Sequence, residues 1–401
     1  MNSKKPKPAE PGSRGYSATA KIALQEGAAR VQEIHGAIAN TAFDVLRKIP
    51  AVSGTAAVVE TVHNAITSGV YAAIHHGGGG LLDVAAALEK RVPPAANAAP
   101  PSRLASNLRS AINGAFGDHL ADSGSVLAIT MALYQNGHPV ALTRAALGQV
   151  WPQKGERLCL FVHGLGCNEQ CWQADIKADP MATDIPRRLA ADTRYTCLEL
   201  RYNTGLPIDD NGQQLSELLE ELLAAWPHPV AELLIISHSM GGLLTRSAFT
   251  QGVAAGCTWP QTLRKVICLG TPHLGSPVER LGQFTTAALS LSPITAPLAR
   301  FAAKRSQGIQ DLRHGPGRHE CTSHVAWRFI GGSLSDDPES PLSKLVGDGL
   351  VTPESATAHE PEGEGDSCSV RLGSVSHMGL LNDPRVYQQI LAWLDEDDGP
   401  D

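Results

Sequence analysis

The chain of 401 residues lacks an excess of positive charge, a long uncharged apolar run and any paired-cysteine motif. Each absence removes a class of function. Lys and Arg number 33 against 40 Asp and Glu, a formal net charge of −7. Proteins held to nucleic acid through its phosphates carry the opposite balance, so no nucleic-acid partner is expected. No window approaches the roughly twenty apolar residues of a membrane-crossing helix. The best stretch, Ala51 to Ile74, contains Glu60 and His63 and is mostly Ala, Thr, Ser and Val. The first sixteen residues carry Lys4, Lys5, Lys7 and Arg14 but no apolar core. They read as a disordered basic tail and not as a secretory signal. The eight cysteines form no Cys-x-x-Cys pair and no histidine accompanies them at zinc spacing. No metal and no cofactor is expected. Cys159, Cys197 and Cys268 fall in strand-like runs as small apolar residues, while Cys167 and Cys171 lie in a loop. Reduced thiols and a cytoplasmic location are expected, with peripheral membrane contact left open.

What is present is an ordinary globular composition, 42% apolar. Residues 17 to 125 read as a helical N-terminal region. Helices are predicted over about 18–48, 54–76 and onward to Arg91, and again over about 102–121. The run Gly77 to Gly80 has no Gly-Lys-Ser/Thr after it and no strand before it, so it is a helix stop and not a phosphate cradle. Pro93-Pro94 and Pro100-Pro101 bracket a linker-like break. From residue 126 the pattern changes. Leu127 to Tyr134 and Pro139 to Leu142 flank Asn136-Gly137, a strong hairpin signal. Apolar strand runs then alternate with helical spacing: Leu158–Val162, Tyr195–Leu200, a helix over 213–226, Leu233–Ile236, Lys265–Leu269, Val325–Ile330, Ser369–Leu372 and a closing helix over 383–394. This order implies a mostly parallel sheet with helices on both faces, filling 126–401.

One stretch organises the rest. Leu233-Leu234-Ile235-Ile236 is a strand buried on both faces, and Leu243, Leu244 and Ala248 follow at helical spacing. Between them lies Ser237-His238-Ser239-Met240-Gly241. A serine at the apex of a strand–turn–helix, with small residues two before and two after, is the nucleophile elbow. Ser237 stands where glycine is usual.

A serine nucleophile needs a base, a carboxylate to orient that base, and donors for the developing oxyanion. The strand ending in His163-Gly164-Leu165-Gly166 offers a glycine-lined loop whose Leu165 N–H is one donor. The Met240 N–H is the other. His163 and Gly164, like Gly241, read as supporting residues, His163 hydrogen-bonded beneath the loop. Asp348, in Gly347-Asp348-Gly349, follows the Val325–Ile330 strand and is preferred as the acid over Asp336, Asp337 and Asp366. His377 follows the last strand and precedes the last helix, the place for the base.

With nucleophile, acid and base in the order Ser239, Asp348, His377, the chain resembles the α/β-hydrolase superfamily in its lipase and esterase branch. The resemblance runs from about Ile129 to Leu394. Leu269-Gly270-Thr271-Pro272-His273-Leu274-Gly275-Ser276 is similar to a segment of bacterial lipases and GPI inositol-deacylase-like hydrolases, and Arg201-Tyr202-Asn203-Thr204-Gly205 to a loop of the same group. The resemblance implies hydrolysis of esters, with a lipid or other ester as substrate. Residues 277–323 stand where lipases carry a cap, and their Leu281, Phe284, Leu289, Leu291, Ile294, Leu298 and Phe301 suit either an apolar lid or an ordinary helical excursion. Acyl transfer would use the same residues. A third reading makes the N-terminal helices the functional part, binding a partner or a membrane surface.

Overall fold

In the computed structural model the described residues are 103–122, 124–125, 127–152, 155–173, 181–275, 306–312, 324–337, 347–357 and 368–395. The chain divides between Ala98 and Ala99 into two units, and all described residues belong to the second. The helices expected between residues 18 and 91, the basic tail, and most of the 277–323 insertion lie outside the described residues.

The described elements are helix α1 (Arg103–Asp122), strands β1 (Ala132–Gln135) and β2 (His138–Val140), α2 (Arg144–Val150), β3 (Arg157–Val162), α3 (Ile185–Asp192), β4 (Tyr195–Arg201) and α4 (Ile208–Ala225). Then come β5 (Glu232–His238), α5 (Met240–Ala255), α6 (Trp259–Thr262), β6 (Leu263–Leu269), α7 (Gln307–Asp311), β7 (Ala326–Gly332), α8 (Pro353–Ala356), β8 (Ser369–Leu372) and α9 (Pro384–Asp395). The eight strands form one sheet in the order β2-β1-β4-β3-β5-β6-β7-β8. The β1–β2 hairpin is antiparallel, as is the β1–β4 pairing, and every other pairing is parallel.

A parallel sheet covered on both faces needs strands that are apolar at every position, because alternate side chains enter different cores. Leu233 and Ile235 of β5 lie in one apolar cluster while Leu234 and Ile236 lie in the other. In β3, Leu158, Leu160 and Val162 face the first cluster, and Cys159 and Phe161 the second. The first cluster is closed by α4 and α5, with Leu215, Leu219, Leu222, Leu243 and Leu244. The second is closed by α3 and α9, with Leu189, Tyr387, Ile390 and Trp393. The turn between β1 and β2 has Asn136 and Gly137 at φ 52° and 79°, the geometry that Asn-Gly supplies in a two-residue hairpin.

Two boundaries differ from the expectation by five residues, both for tertiary reasons, and helices α2 and α3 were not anticipated. The strand expected from Leu127 begins only at Ala132. The Leu127 and Ala128 carbonyls instead accept from the Arg109 guanidinium, at 3.0 and 2.7 Å, and the Ile129 N–H donates to Asn113 Oδ1 at 2.9 Å. Side chains of α1 thus take the bonds that a neighbouring strand would have made. Helix α4 starts at Ile208, five residues before the expected Gln213, behind Pro207, which offers no side-chain cap. Asp311 of α7 supplies one instead, its Oδ2 accepting from the Ile208 N–H at 2.9 Å. The expected N-terminal helix over 102–121 is α1, and it packs within the same unit as the sheet.

Arg201, at the end of β4, ties the hairpin to the sheet. Its guanidinium lies 4.0 Å from the Tyr134 ring centre and donates to both Glu169 oxygens at 2.6 and 2.5 Å. Both side chains are shielded from solvent, at 3% and 1% exposure. Glu169→Ala leaves a buried guanidinium without its carboxylate and is expected to cost about 3–5 kcal/mol in urea denaturation. Adding Arg201→Met should recover most of that loss, and a double variant as unstable as the single one would contradict the account.

Candidate active site

The site forms where β5 passes into α5. Ser239 takes φ 55° and ψ −127°, a positive-φ conformation that an L residue adopts only under constraint. The constraint is visible on three sides. The Ser239 N–H donates to the Leu269 carbonyl of β6 at 2.8 Å. A Cβ on Gly241 would lie 2.6 Å from the Val162 carbonyl oxygen and 2.7 Å from that of His163, so α5 begins in backbone contact with the end of β3. A Cβ on Gly164 would lie 2.8 Å from Ser239 Cβ. Gly241 and Gly164 are therefore glycines by necessity of space.

Asp348 and His377, 29 residues apart in sequence, meet at 2.8 Å between Asp348 Oδ2 and His377 Nδ1. The carboxylate is held on its other oxygen by the Leu350 and Val351 N–H groups, at 3.0 and 2.8 Å. The His377 N–H also donates to the Asp348 carbonyl, at 3.0 Å. Gly347 and Gly349, at φ 60° and 99°, shape this turn as the Gly-Asp-Gly sequence suggests. Both groups reach the elbow at Gly270, which follows Leu269. A Cβ there would lie 3.1 Å from Asp348 Oδ2 and 3.2 Å from His377 Cε1. Of the rival acids, Asp336 is exposed and bonded to Ser374, Asp337 is exposed, and Asp366 lies outside the described residues.

The loop after β3 is fixed from within. Tyr202 stacks on His163 with ring centres 4.5 Å apart, and its hydroxyl donates to the His163 carbonyl at 2.9 Å. His163 Nδ1–H donates to the Gly164 carbonyl at 3.0 Å, and the Gly166 N–H donates to Thr204 Oγ1 at 3.0 Å. None of these bonds uses the Leu165 N–H. Met240 is the first residue of α5, and a first-turn N–H has no partner inside its own helix. Such a group also sits at the positive end of the helix dipole.

Two residues quoted within the sequence motifs were given no role of their own. His238 is fully buried, and its Nε2–H donates to the His377 carbonyl at 3.0 Å, tying the strand before Ser239 to the loop that carries His377. Gly270 is the meeting point just described. Neither has a signal of its own, since a histidine beside the nucleophile and a glycine after a strand are both commonplace. Thr271 and His273 continue that segment. The His273 N–H donates to the Ser355 carbonyl at 3.0 Å, which pins the segment to α8. Among the described residues no group of three or more His, Cys, Asp or Glu is placed to hold a metal ion, and the seven described cysteines are free thiols.

An eight-stranded, mostly parallel sheet with helices on both faces and a strained serine at the end of a central strand has the architecture of the α/β-hydrolase fold. Within it, residues 198–333 match the family model of the PGAP1-like alpha/beta domain, which spans β4 to β7. No curated protein matches the chain in sequence. Solved structures similar to it include the mature lipase BlEst2 of Bacillus licheniformis, at 20% identity, 59% of this chain, 91% of that chain and TM-score 0.41. The hyperthermophilic esterase of the archaeon Pyrobaculum calidifontis gives 14%, 60%, 75% and 0.38. The ester-hydrolase EH1AB1 from the metagenome of Lake Arreo gives 15%, 80%, 98% and 0.41. Among the described residues no helix is long and apolar enough to cross a membrane.

The buried histidines make the fold acid-sensitive. Burial first, and the Arg201 charge after it, push the His163 imidazole down from its ordinary 6.5 to about 3, against the opposing pull of its bond to Gly164. Between those values the unfolded chain binds a proton that the folded protein refuses, so unfolding takes up protons and stability falls as the pH drops from 6.5 toward 3. Burial lowers His238 and His273 in the same direction. Urea midpoints measured from pH 7 to pH 4 should therefore decline, and less steeply in His163→Gln. Equal slopes in the two proteins would contradict a neutral His163.

Proposed function

We propose that the protein hydrolyses carboxylic esters with an apolar acyl chain, with Ser239 as nucleophile, His377 as base and Asp348 as its orienting acid. The observation that carries this reading is the bond from His377 Nδ1–H to Asp348, on a loop that His238, the neighbour of the strained Ser239, ties to the elbow through the His377 carbonyl. With Nδ1 committed as a donor, the other ring nitrogen is the basic one. It takes the Ser239 Oγ proton as Oγ attacks the ester carbonyl carbon. The N–H groups of Leu165 and Met240 hold the resulting oxyanion. As the carbon–oxygen bond to the alcohol breaks, His377 returns the proton to the leaving oxygen. Water then attacks the acyl-Ser239 ester by the same proton path and frees the acid and the enzyme. Asp348 stabilises the imidazolium without taking its proton.

An apolar substrate is supported by two exposed leucines. Leu274 and Leu334, 58% and 53% exposed, are among the few large apolar side chains left open to solvent among the described residues. Both stand on loops at the C-terminal edge of the sheet, the edge that carries Ser239, and Leu334 lies against Gly349 beside Asp348.

The test is hydrolysis of p-nitrophenyl esters from acetate to palmitate. Ser239→Ala should abolish turnover, and Asp348→Asn should lower kcat by about 10⁴ while the protein stays folded, because the amide holds the wrong imidazole tautomer. The chain length of maximal kcat/KM separates an esterase from a lipase. A folded wild type that is inert on every ester would remove this reading.

A further inference from the structure

Helix α1 lies before the 198–333 match, and it packs closely against the loop after β3. A Cβ on Gly114 would lie 3.0 Å from Gly166 Cα and 3.2 Å from Gly166 N. It would also lie 3.2 Å from Thr204 Oγ1, the acceptor of the Gly166 N–H. Two residues further along the loop, the Asn168 side-chain amide donates to Asn107 Oδ1 at 3.0 Å and to Ser110 Oγ at 3.2 Å. Asn168 Oδ1 accepts from the Gln170 N–H at 2.9 Å, and the Gln170 carbonyl accepts from the Arg103 guanidinium at 3.1 Å. Asn107, Ser110 and Gly114 recur at helical spacing, so one face of α1 meets the loop, and past the non-helical turn at Phe116 (φ −142°, ψ 20°) the helix meets the segment after β4. There the Asn203 amide donates to the Gly117 carbonyl at 2.9 Å. A Cβ on Gly205 would come within 2.1 Å of the Asn113 carbonyl oxygen.

Leu165 stands between two glycines that are both in contact. Gly164 is pressed on Ser239, and Gly166 is pressed on Gly114 of α1. A loop clamped at both ends in this way has its central N–H placed by the separation of its two supports. We infer that α1 is a positioning strut for the oxyanion loop, with Gly114, Asn107 and Ser110 setting where the Leu165 N–H stands relative to Ser239. The inference rests on the ester-hydrolase reading above for its effect on catalysis, though not for the contact itself.

The experiment uses the full chain. Gly114→Ala should push Gly166 by a few tenths of an ångström and lower kcat about 10–100-fold, since oxyanion donors act only at the right distance. KM should change less than about threefold, because the donors bind the transition state and not the ground-state ester. Inhibition by an alkyl boronic acid, which forms a tetrahedral anion on the serine, should weaken in step with kcat. Asn107→Ala with Ser110→Ala removes both acceptors of the Asn168 side-chain N–H groups and should give the same pattern, and it decides the matter if Gly114→Ala fails to fold. Restoring the hydroxyl, as Asn107→Ala with Ser110→Thr, should recover part of the loss. Lowered melting temperatures with kcat and boronate affinity unchanged would overturn the inference and leave α1 a packing element. If the wild type hydrolyses no ester, the functional reading fails separately. Amide hydrogen exchange of residues 164–168 then decides: faster exchange in the Asn107/Ser110 double variant supports the strut, and unchanged exchange overturns it.

Discussion

The close approach of α5 to the end of β3 is the constraint on which the rest of the site depends. Gly241 brings the first turn of the helix against the carbonyls of Val162 and His163, and the chain can make that turn only by forcing Ser239 to positive φ. Such a conformation costs about 1–3 kcal/mol and persists only where the surroundings over-determine it. Here they do. From Met240 to Phe249 every residue of α5 is buried, and β5 is apolar toward both cores. Burying a Leu or Ile side chain contributes about 1.5–3 kcal/mol. A few of these residues outweigh the strain, and moving the serine to a relaxed conformation would pull the helix off the sheet.

Around that turn, segments distant in sequence are locked together, and Asp348 is fixed within its own turn, by bonds that carry no catalytic chemistry. His238 holds the His377 carbonyl, Tyr202 holds that of His163, the Leu350 and Val351 N–H groups hold Asp348, and Ser355 holds the His273 N–H. Burial keeps His163, His238 and His273 neutral. A neutral His238 next to His377 has a purpose in the proposed cycle. A second positive charge beside the imidazolium would raise the energy of the step it must stabilise.

Much of the site was legible in order and not in distance. The apolar run Leu233–Ile236, the small residues flanking Ser239, the glycines around Asp348 and the loop position of His377 all pointed to one edge of a parallel sheet. Each is local chemistry: buried strands must be apolar throughout, tight turns require glycine, and strands alternating with helices build a parallel sheet. His238 was given no role because nothing local distinguishes a histidine that bonds a carbonyl 139 residues away. The start of α4 was misplaced because its cap, Asp311, comes from 103 residues downstream. The strand at Leu127 was drawn too long because apolar alternation cannot reveal that Arg109 and Asn113 occupy the backbone there.

By itself, then, the sequence determined the main strands, the mostly parallel sheet they build and the order along the chain of a candidate serine, acid and histidine. Periodicity, turn chemistry and chain order are properties of neighbours along the chain, and they survive without coordinates. Only the tertiary structure decided that Asp348 and His377 meet at 2.8 Å, and that α1 belongs with the sheet and presses on the loop after β3 through Gly114. A glycine reads the same in sequence whether it ends a helix, opens a turn or admits another backbone. What it admits is fixed by the packing of segments far apart in the chain.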